Sequence, residues 1–210
     1  MLGQIAAFTL AAALITISPG ADMALVARRA LTEGWRRATI TSAGVCCGLL
    51  VHATASAVGV SALLVSSATA FTALKIVGAC YLVVLGLLAF RAARRTARDS
   101  TVEPVDARPV RSARASFAQG FLNNVLNPKL ALFYLAFLPQ FVEPGDPVVA
   151  LTAILVAIHI ALGIGWLVLW AWLVSRAGRT LSRPRWRAGL EWVTGCVLVA
   201  LGLRLATTTR

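Results

Sequence analysis

The chain has 210 residues, of which 59% are apolar and 13% charged, with a mean hydropathy of +0.80. Soluble domains run to roughly 45–50% apolar and about 25% charged residues, so this composition leaves too little polar surface to cover a water-facing globule. Twenty Lys and Arg stand against eight Asp and Glu, an excess that suits nucleic acid or a membrane, and its distribution selects the membrane.

The 37 residues from Ala38 to Leu74 and the 29 from Pro147 to Ser175 carry no Asp, Glu, Lys or Arg. Uncharged apolar runs longer than ~18 residues read as spans, because ~20 helical residues cross a ~30 Å hydrocarbon core. A nucleic-acid partner is thereby excluded.

The first apolar stretch covers residues 4–27 and is interrupted at Ser18-Pro19-Gly20. No Lys or Arg precedes it in Met1–Gln4, so it reads as a retained span and not a secretory signal. The second (39–64) and third (70–90) are divided at the small, polar Ser66-Ser67-Ala68-Thr69, since the tract is too long for one crossing. Residues 91–116, with Pro104, Pro109, three acids and seven arginines, show no apolar periodicity and read as a mobile cytoplasmic linker. The fourth stretch (117–142) is interrupted at Asn127-Pro128, and the fifth (148–174) and sixth (189–206) follow. The expected fold is an all-α integral membrane protein of six transmembrane helices. Its domains are residues 1–90 and 117–210, each a three-helix repeat, joined by the basic linker 91–116.

Lys and Arg at the ends of spans stay on the cytoplasmic side. The loops after the first, third and fifth spans hold 16 of the 20 basic residues, and the opposite loops hold none, with Glu143 and Asp146 between the fourth and fifth spans. Both termini are therefore expected outside.

Three spans per half is an odd number, so related halves must lie inverted in the membrane. Phe8 stands eleven residues before Pro19, and Phe117 eleven before Pro128; His52 falls opposite His159. Leu74–Leu87 against Leu190–Leu203 gives eight identities in fourteen, including Cys80 with Cys196 and Gly86 with Gly202. Paired interruptions in corresponding spans point to the midplane binding site of an inverted-repeat transporter. Proline removes an amide donor, and Gly20 loosens the chain further, so backbone groups are freed that need protein, water or ligand as partners.

Polar residues gather at these breaks. Asp22 is the one carboxylate well inside a span, and Lys129 directly follows the second break, so the two are expected within pairing distance. Asn123 and Asn127, four residues apart, share a helix face; with Asn124 they either join helices or line a polar path. The candidate binding residues are Pro19, Gly20, Asp22, Asn123, Asn127, Pro128 and Lys129. Asp22, His52 and His159 are the candidates for proton coupling, the histidines titrating near neutrality. Gly44 and Gly48 form a small-residue face for close helix packing. The four cysteines have no ligand spacing and read as apolar fillers, no metal or cofactor site is expected, and no hydrolase or nucleotide motif is present.

The motifs Ser18-Pro19-Gly20-Ala21-Asp22 and Asn127-Pro128-Lys129, the latter followed by Phe133, Phe137, Leu138, Pro139, Gln140 and Phe141, resemble those of the lysine-exporter translocator family, in particular its homoserine/threonine and leucine efflux branch. Tyr81-Leu82, Leu85-Gly86 and Arg91 extend the resemblance, and Ala21 departs from the family's usual second proline. The resemblance implies a multi-pass protein of the plasma (inner) membrane that exports amino acids by proton antiport, and no enzyme. A zwitterion needs an acceptor for its ammonium, for which Asp22 and freed carbonyls are suited, and donors for its carboxylate, for which Lys129 and half-helix amides are suited. A single deep carboxylate favours neutral over cationic amino acids. Export of another small solute or a metal cation, and a non-transporting membrane scaffold, stand as alternatives; the oligomeric state, including a homo-oligomer, stays open.

Overall fold

The computed structural model describes residues 2–66, 68–98, 112–141, 147–181 and 184–207. All of these that adopt regular structure are helical: α1 (Leu2–Ile17), α2 (Ala21–Glu33), α3 (Trp35–Ser66), α4 (Ala68–Arg98), α5 (Ala113–Val125), α6 (Pro128–Leu132), α7 (Val148–Leu181) and α8 (Pro184–Thr207). From α6 the chain continues through a π-helical turn, Phe133–Phe137, and a 3-10 turn, Leu138–Phe141.

Two pairs of these helices are the expected broken spans. Gly3–Ile17 and Ala21–Glu33 bend by 51° at the first proline, and Ala113–Val125 and Pro128–Phe141 by 50° at the second. Each bent pair is long and apolar enough to cross a membrane, as are Trp35–Gly59 and Val148–Ala177 by themselves. The helices overrun the apolar stretches into their basic ends. In particular, α4 runs to Arg98 and α5 begins at Ala113, so the ends of the expected linker are helical, while residues 99–111 lie outside the described ones. The expected break between the second and third spans falls between Ser66 and Ala68, with Ser67 outside the described residues, as are Glu143 and Asp146.

Local chemistry accounts for the boundaries. Gly34, at φ 84°, ends α2 in a conformation that a side chain disfavours, and α3 starts at once. The Ser112 hydroxyl caps α5 by accepting from Ala115 N at 3.2 Å. Pro128 occupies the first turn of α6, where its missing N–H costs nothing, behind the cap residue Asn127.

The outer surface is unlike that of a soluble domain. Val58, Val77, Leu126, Val149 and Val193 are exposed, whereas Thr41, Ser42, Ser56, Asn124 and both histidines are buried. Exposed apolar side chains suit a lipid environment, and these polar groups are kept from it. One apolar cluster packs Phe8, Phe133, Tyr134 and Phe137 around the second break; another joins Met23, Val26, Val45 and Leu167 beside the first.

Helix α3 lies against α5 and α7, and α4 against α8. The α3–α5 contact is backbone to backbone: a Cβ on Gly44 would strike the Phe117 carbonyl oxygen, and one on Gly120 the Thr41 carbonyl oxygen. Small residues permit this approach, which replaces the hydrophobic driving force that lipid does not supply. Gly44→Ala and Gly120→Ala should each destabilise the protein by about 1–3 kcal/mol through overpacking. Gly165→Ala, where a Cβ meets nothing within 4 Å, should not. Thermal unfolding in detergent checks the contrast.

Candidate functional site

Helix α1 ends where Ser18 N donates to Leu14 O at 3.1 Å, and α2 resumes where Ala24 N donates to Gly20 O at 3.0 Å. The helical partner of the Ile15 carbonyl would be residue 19, a proline with no N–H to give. This carbonyl and that of Ser18 are instead taken by the second break. Lys129 Nζ donates to Ser18 O at 2.9 Å, to Ser18 Oγ at 3.1 Å and to Ile15 O at 3.3 Å. The ammonium thus sits on the negative end of the α1 dipole.

The converse holds at the start of α2. Asp22, in its first turn, accepts from three amides of the fourth span: Asn123 Nδ2 to Oδ1 at 2.7 Å, and Asn124 Nδ2 and Asn127 Nδ2 to Oδ2 at 3.1 and 2.9 Å. Asn127 also accepts from Lys129 N through Oδ1 at 3.1 Å, so capping α6 and binding Asp22 fix the orientation of the same amide. The first break is thus completed by a side chain of the second, whereas the carbonyl freed by Pro128, Asn124 O, accepts from Asn127 N at 2.8 Å and from His52 of α3 at 2.9 Å.

The expected pairing of Asp22 with Lys129 is corrected: among the described residues the two form no ion pair. The ammonium finds three oxygens in the α1 terminus and the carboxylate three amides, so neither needs the other. Their charged ends share one cavity instead, with about 40 Å³ open to the centres of water molecules, room for a few waters. Ser18, Gly20, Asp22, Asn124, Lys129 and His159 form its polar lining. Met23, Val45, Cys46, Leu49 and Leu167 form an apolar wall.

Of the other expected site residues, Gly20 lines the cavity, and its lack of a side chain matters, since a Cβ there would lie 3.0 Å from Lys129 Nζ. Pro19 and Pro128 shape the breaks without lining the cavity, and Asn123 and Asn127 act by holding Asp22. The histidines part company. His159 lines the cavity, shares a 3.0 Å hydrogen bond between Nδ1 and the Tyr134 hydroxyl, and stacks on that ring at 5.6 Å. His52 does not line it; its Nε2 donates to the Asn124 carbonyl at 2.9 Å, supporting the end of α5.

Ser18 and Asn124, read from the sequence as part of the first break and as a helix-joining or path-lining amide, take definite roles: Ser18 offers two of the three oxygens that hold Lys129, and Asn124 joins Asp22 to His52. Other roles were not expected. Cys46, expected as a filler, lies on the cavity wall. Trp166 and Trp170 of α7 close around Met23, Trp170 Nε1 donating to its carbonyl at 3.2 Å. Arg29, expected only as an orientation signal, is buried, pairs with Glu33 and donates to Gln119 of α5. The i, i+4 spacing of Arg29 and Glu33 was the available signal; nothing local names Gln119.

Residues 13–209 match the model of the LysE type translocator family. The chain is 30% identical over 196 residues to an uncharacterized membrane protein of Bacillus subtilis, YrhP, covering 92% of this chain and 93% of the other. It is 28% identical to the homoserine/homoserine lactone efflux protein of Salmonella typhimurium, over 96% of this chain and 95% of that one. It is also 28% identical to the leucine efflux protein of Klebsiella pneumoniae, over 95% and 93% of the two chains. No solved structure matches it. With the family model spanning nearly the whole chain, both breaks included, the chain belongs to the LysE type translocator family, a family of efflux translocators and not of enzymes.

Proposed function

We propose that the protein is a secondary transporter that exports neutral amino acids by proton antiport from a site where its two broken spans meet. The observation that carries this is the cavity itself. Oxygens that hold an ammonium, the Asp22 carboxylate and Asn124 line it together with the apolar Met23, Val45, Leu49 and Leu167, which supports this reading. A zwitterion with an uncharged side chain matches that mixture. Asp22 is the one carboxylate among the described lining residues, so a second ammonium on the substrate finds no partner there. The relatives named for homoserine and leucine efflux agree with an uncharged side chain. A metal cargo is less well supported, because no three His, Cys, Asp or Glu among the described residues converge on a point.

The architecture that accompanies this function is six spans in two inverted repeats of three. We assign the remaining crossings to α4 and α8 on their length alone, with 31 and 24 residues. At 1.5 Å per residue they reach ~46 and ~36 Å, beyond a ~30 Å core. Their contact has the reciprocity of a two-fold axis: a Cβ on Gly86 would meet Gly195 and Val199, and one on Gly202 would meet Ala79 and Val83, the repeat-equivalent residues. The basic ends of the first, third and fifth spans put the linker in the cytoplasm of a plasma (inner) membrane and both termini outside.

Counterflow in proteoliposomes loaded with a mixed pool of amino acids should show movement of a few neutral ones, accelerated by an imposed proton gradient. Asp22→Asn should lower that rate by at least about tenfold, since an amide cannot balance charge in the cavity. Absence of selective amino-acid movement in folded protein contradicts the proposal, and metal cations form the next panel. For orientation, a single cysteine at Arg94 in a cysteine-free background should react with an impermeant maleimide only after cells are permeabilised; labelling of intact cells contradicts the assigned topology.

A further inference from the structure

We propose that the ammonium of Lys129 stands in for the ammonium of the substrate: it fills the carbonyl cradle of the first break in the empty transporter and gives up its proton when a substrate ammonium takes its place. Lys129 is then the group that couples proton to amino acid. This rests on the amino-acid reading of the cavity.

The cradle has the form of an ammonium site. Ser18 O, Ser18 Oγ and Ile15 O supply three oxygens, as many acceptors as an ammonium has N–H groups. It faces the cavity, with Gly20 leaving the space in which Nζ sits. The carboxylate of Asp22 is more heavily engaged, since each of its oxygens already accepts at least one asparagine amide. A substrate ammonium therefore meets a carboxylate clasped by three donors and a carbonyl set clasped only by a second ammonium. Two ammonium groups held side by side in a site of low dielectric repel strongly, so the cradle accepts one at a time.

Lys129 donates to neutral oxygens alone and to no carboxylate among the described residues, so no ion pair locks its proton in place. The titratable groups that share the cavity with it are Asp22 from α2, Cys46 from α3 and His159 from α7. On its own segment Tyr134 is engaged with His159, and His52 of α3 is turned to the Asn124 carbonyl. When substrate enters from the cytoplasm, one Nζ–H bond of Lys129 breaks, the proton passes to water on that side, and the neutral amine withdraws. After substrate leaves on the outer side, the amine takes a proton from that side and returns to the cradle. Because protonated Lys129 and bound substrate exclude each other, a proton enters for each amino acid that leaves, without a second binding site.

The test is calorimetric titration of the purified full-length protein with leucine, threonine and homoserine, in buffers of different ionisation enthalpy and across neutral to alkaline pH. Wild type should release about one proton per ligand bound, with affinity rising with pH by up to about tenfold per unit. Lys129→Met should bind about tenfold more tightly at neutral pH, release no proton and lose the pH dependence. Binding weakened tenfold or more in Lys129→Met overturns the proposal and makes the lysine a ligand of the substrate carboxylate. Undiminished proton release in the variant also overturns it and moves coupling to Asp22 or His159. If the variant does not fold, wild type alone decides, since ligand binding without proton release is incompatible with the proposal. Wild type that binds none of the three amino acids refutes the amino-acid reading itself, whatever Lys129 does.

Discussion

The structure depends on two helices that are each broken at a proline and joined to each other at the breaks. In hydrocarbon an unsatisfied backbone group costs several kcal/mol, and neither water nor lipid relieves it. The Ile15 carbonyl loses its helical donor because residue 19 is a proline, and the ammonium of Lys129 replaces that donor across the molecule. The start of α2 carries a carboxylate, and three asparagines on the other broken span clasp it. An ammonium within a span costs at least ~2.5–3.5 kcal/mol. Charge-assisted hydrogen bonds at roughly 1.5–3 kcal/mol each offset this cost. Satisfying the breaks and building a polar cavity are therefore one act, performed by the same side chains.

That exchange of partners has a dynamic consequence. Interactions within a helix persist whichever way the helix leans, whereas those between the breaks hold only while the two spans keep their relative position. Any shift of the two breaks against each other would have to remake the cross-break bonds of Asp22 and Lys129, and an ammonium and a carboxylate on a substrate would offer replacements for both. The rest of the packing is suited to move as rigid units: Gly44 and Gly120 hold α3 and α5 at backbone contact, and Gly86 and Gly202 do the same for α4 and α8. Buried Arg29, joined to Glu33 and Gln119, ties α2 to α5 beyond the cavity.

Much of this was legible in the sequence because it follows from composition over ~20 residues or from a proline. The apolar stretches became helices, Ser66 to Ala68 became the junction of α3 and α4, and Pro19 and Pro128 became the bends. What was not legible was partnership. Opposite charges after corresponding breaks suggested a pair, but Asp22 and Lys129 each had a better partner in backbone or amide groups, and only the three-dimensional approach of the breaks reveals it. Asn124 carries both its amide and its carbonyl into the site, a double role that no spacing announces. The π-helical turn at Phe133–Phe137 is likewise a response to packing Phe133 and Tyr134 against Phe8 and His159, tertiary contacts with no local signature. Cys46 read as a filler because its neighbours along the chain are apolar, and its place on the cavity wall comes from α7 lying across it.

If the amino acid binds where the two breaks meet, an experimental structure of the protein in lipid nanodiscs with leucine bound should show leucine density in the cavity. Its ammonium should lie against the Ile15 and Ser18 carbonyls and its side chain against Val45, Cys46 and Leu167, with Lys129 displaced from the cradle. Leucine bound elsewhere, for instance between α4 and α8, with Lys129 still seated on Ser18, would contradict it.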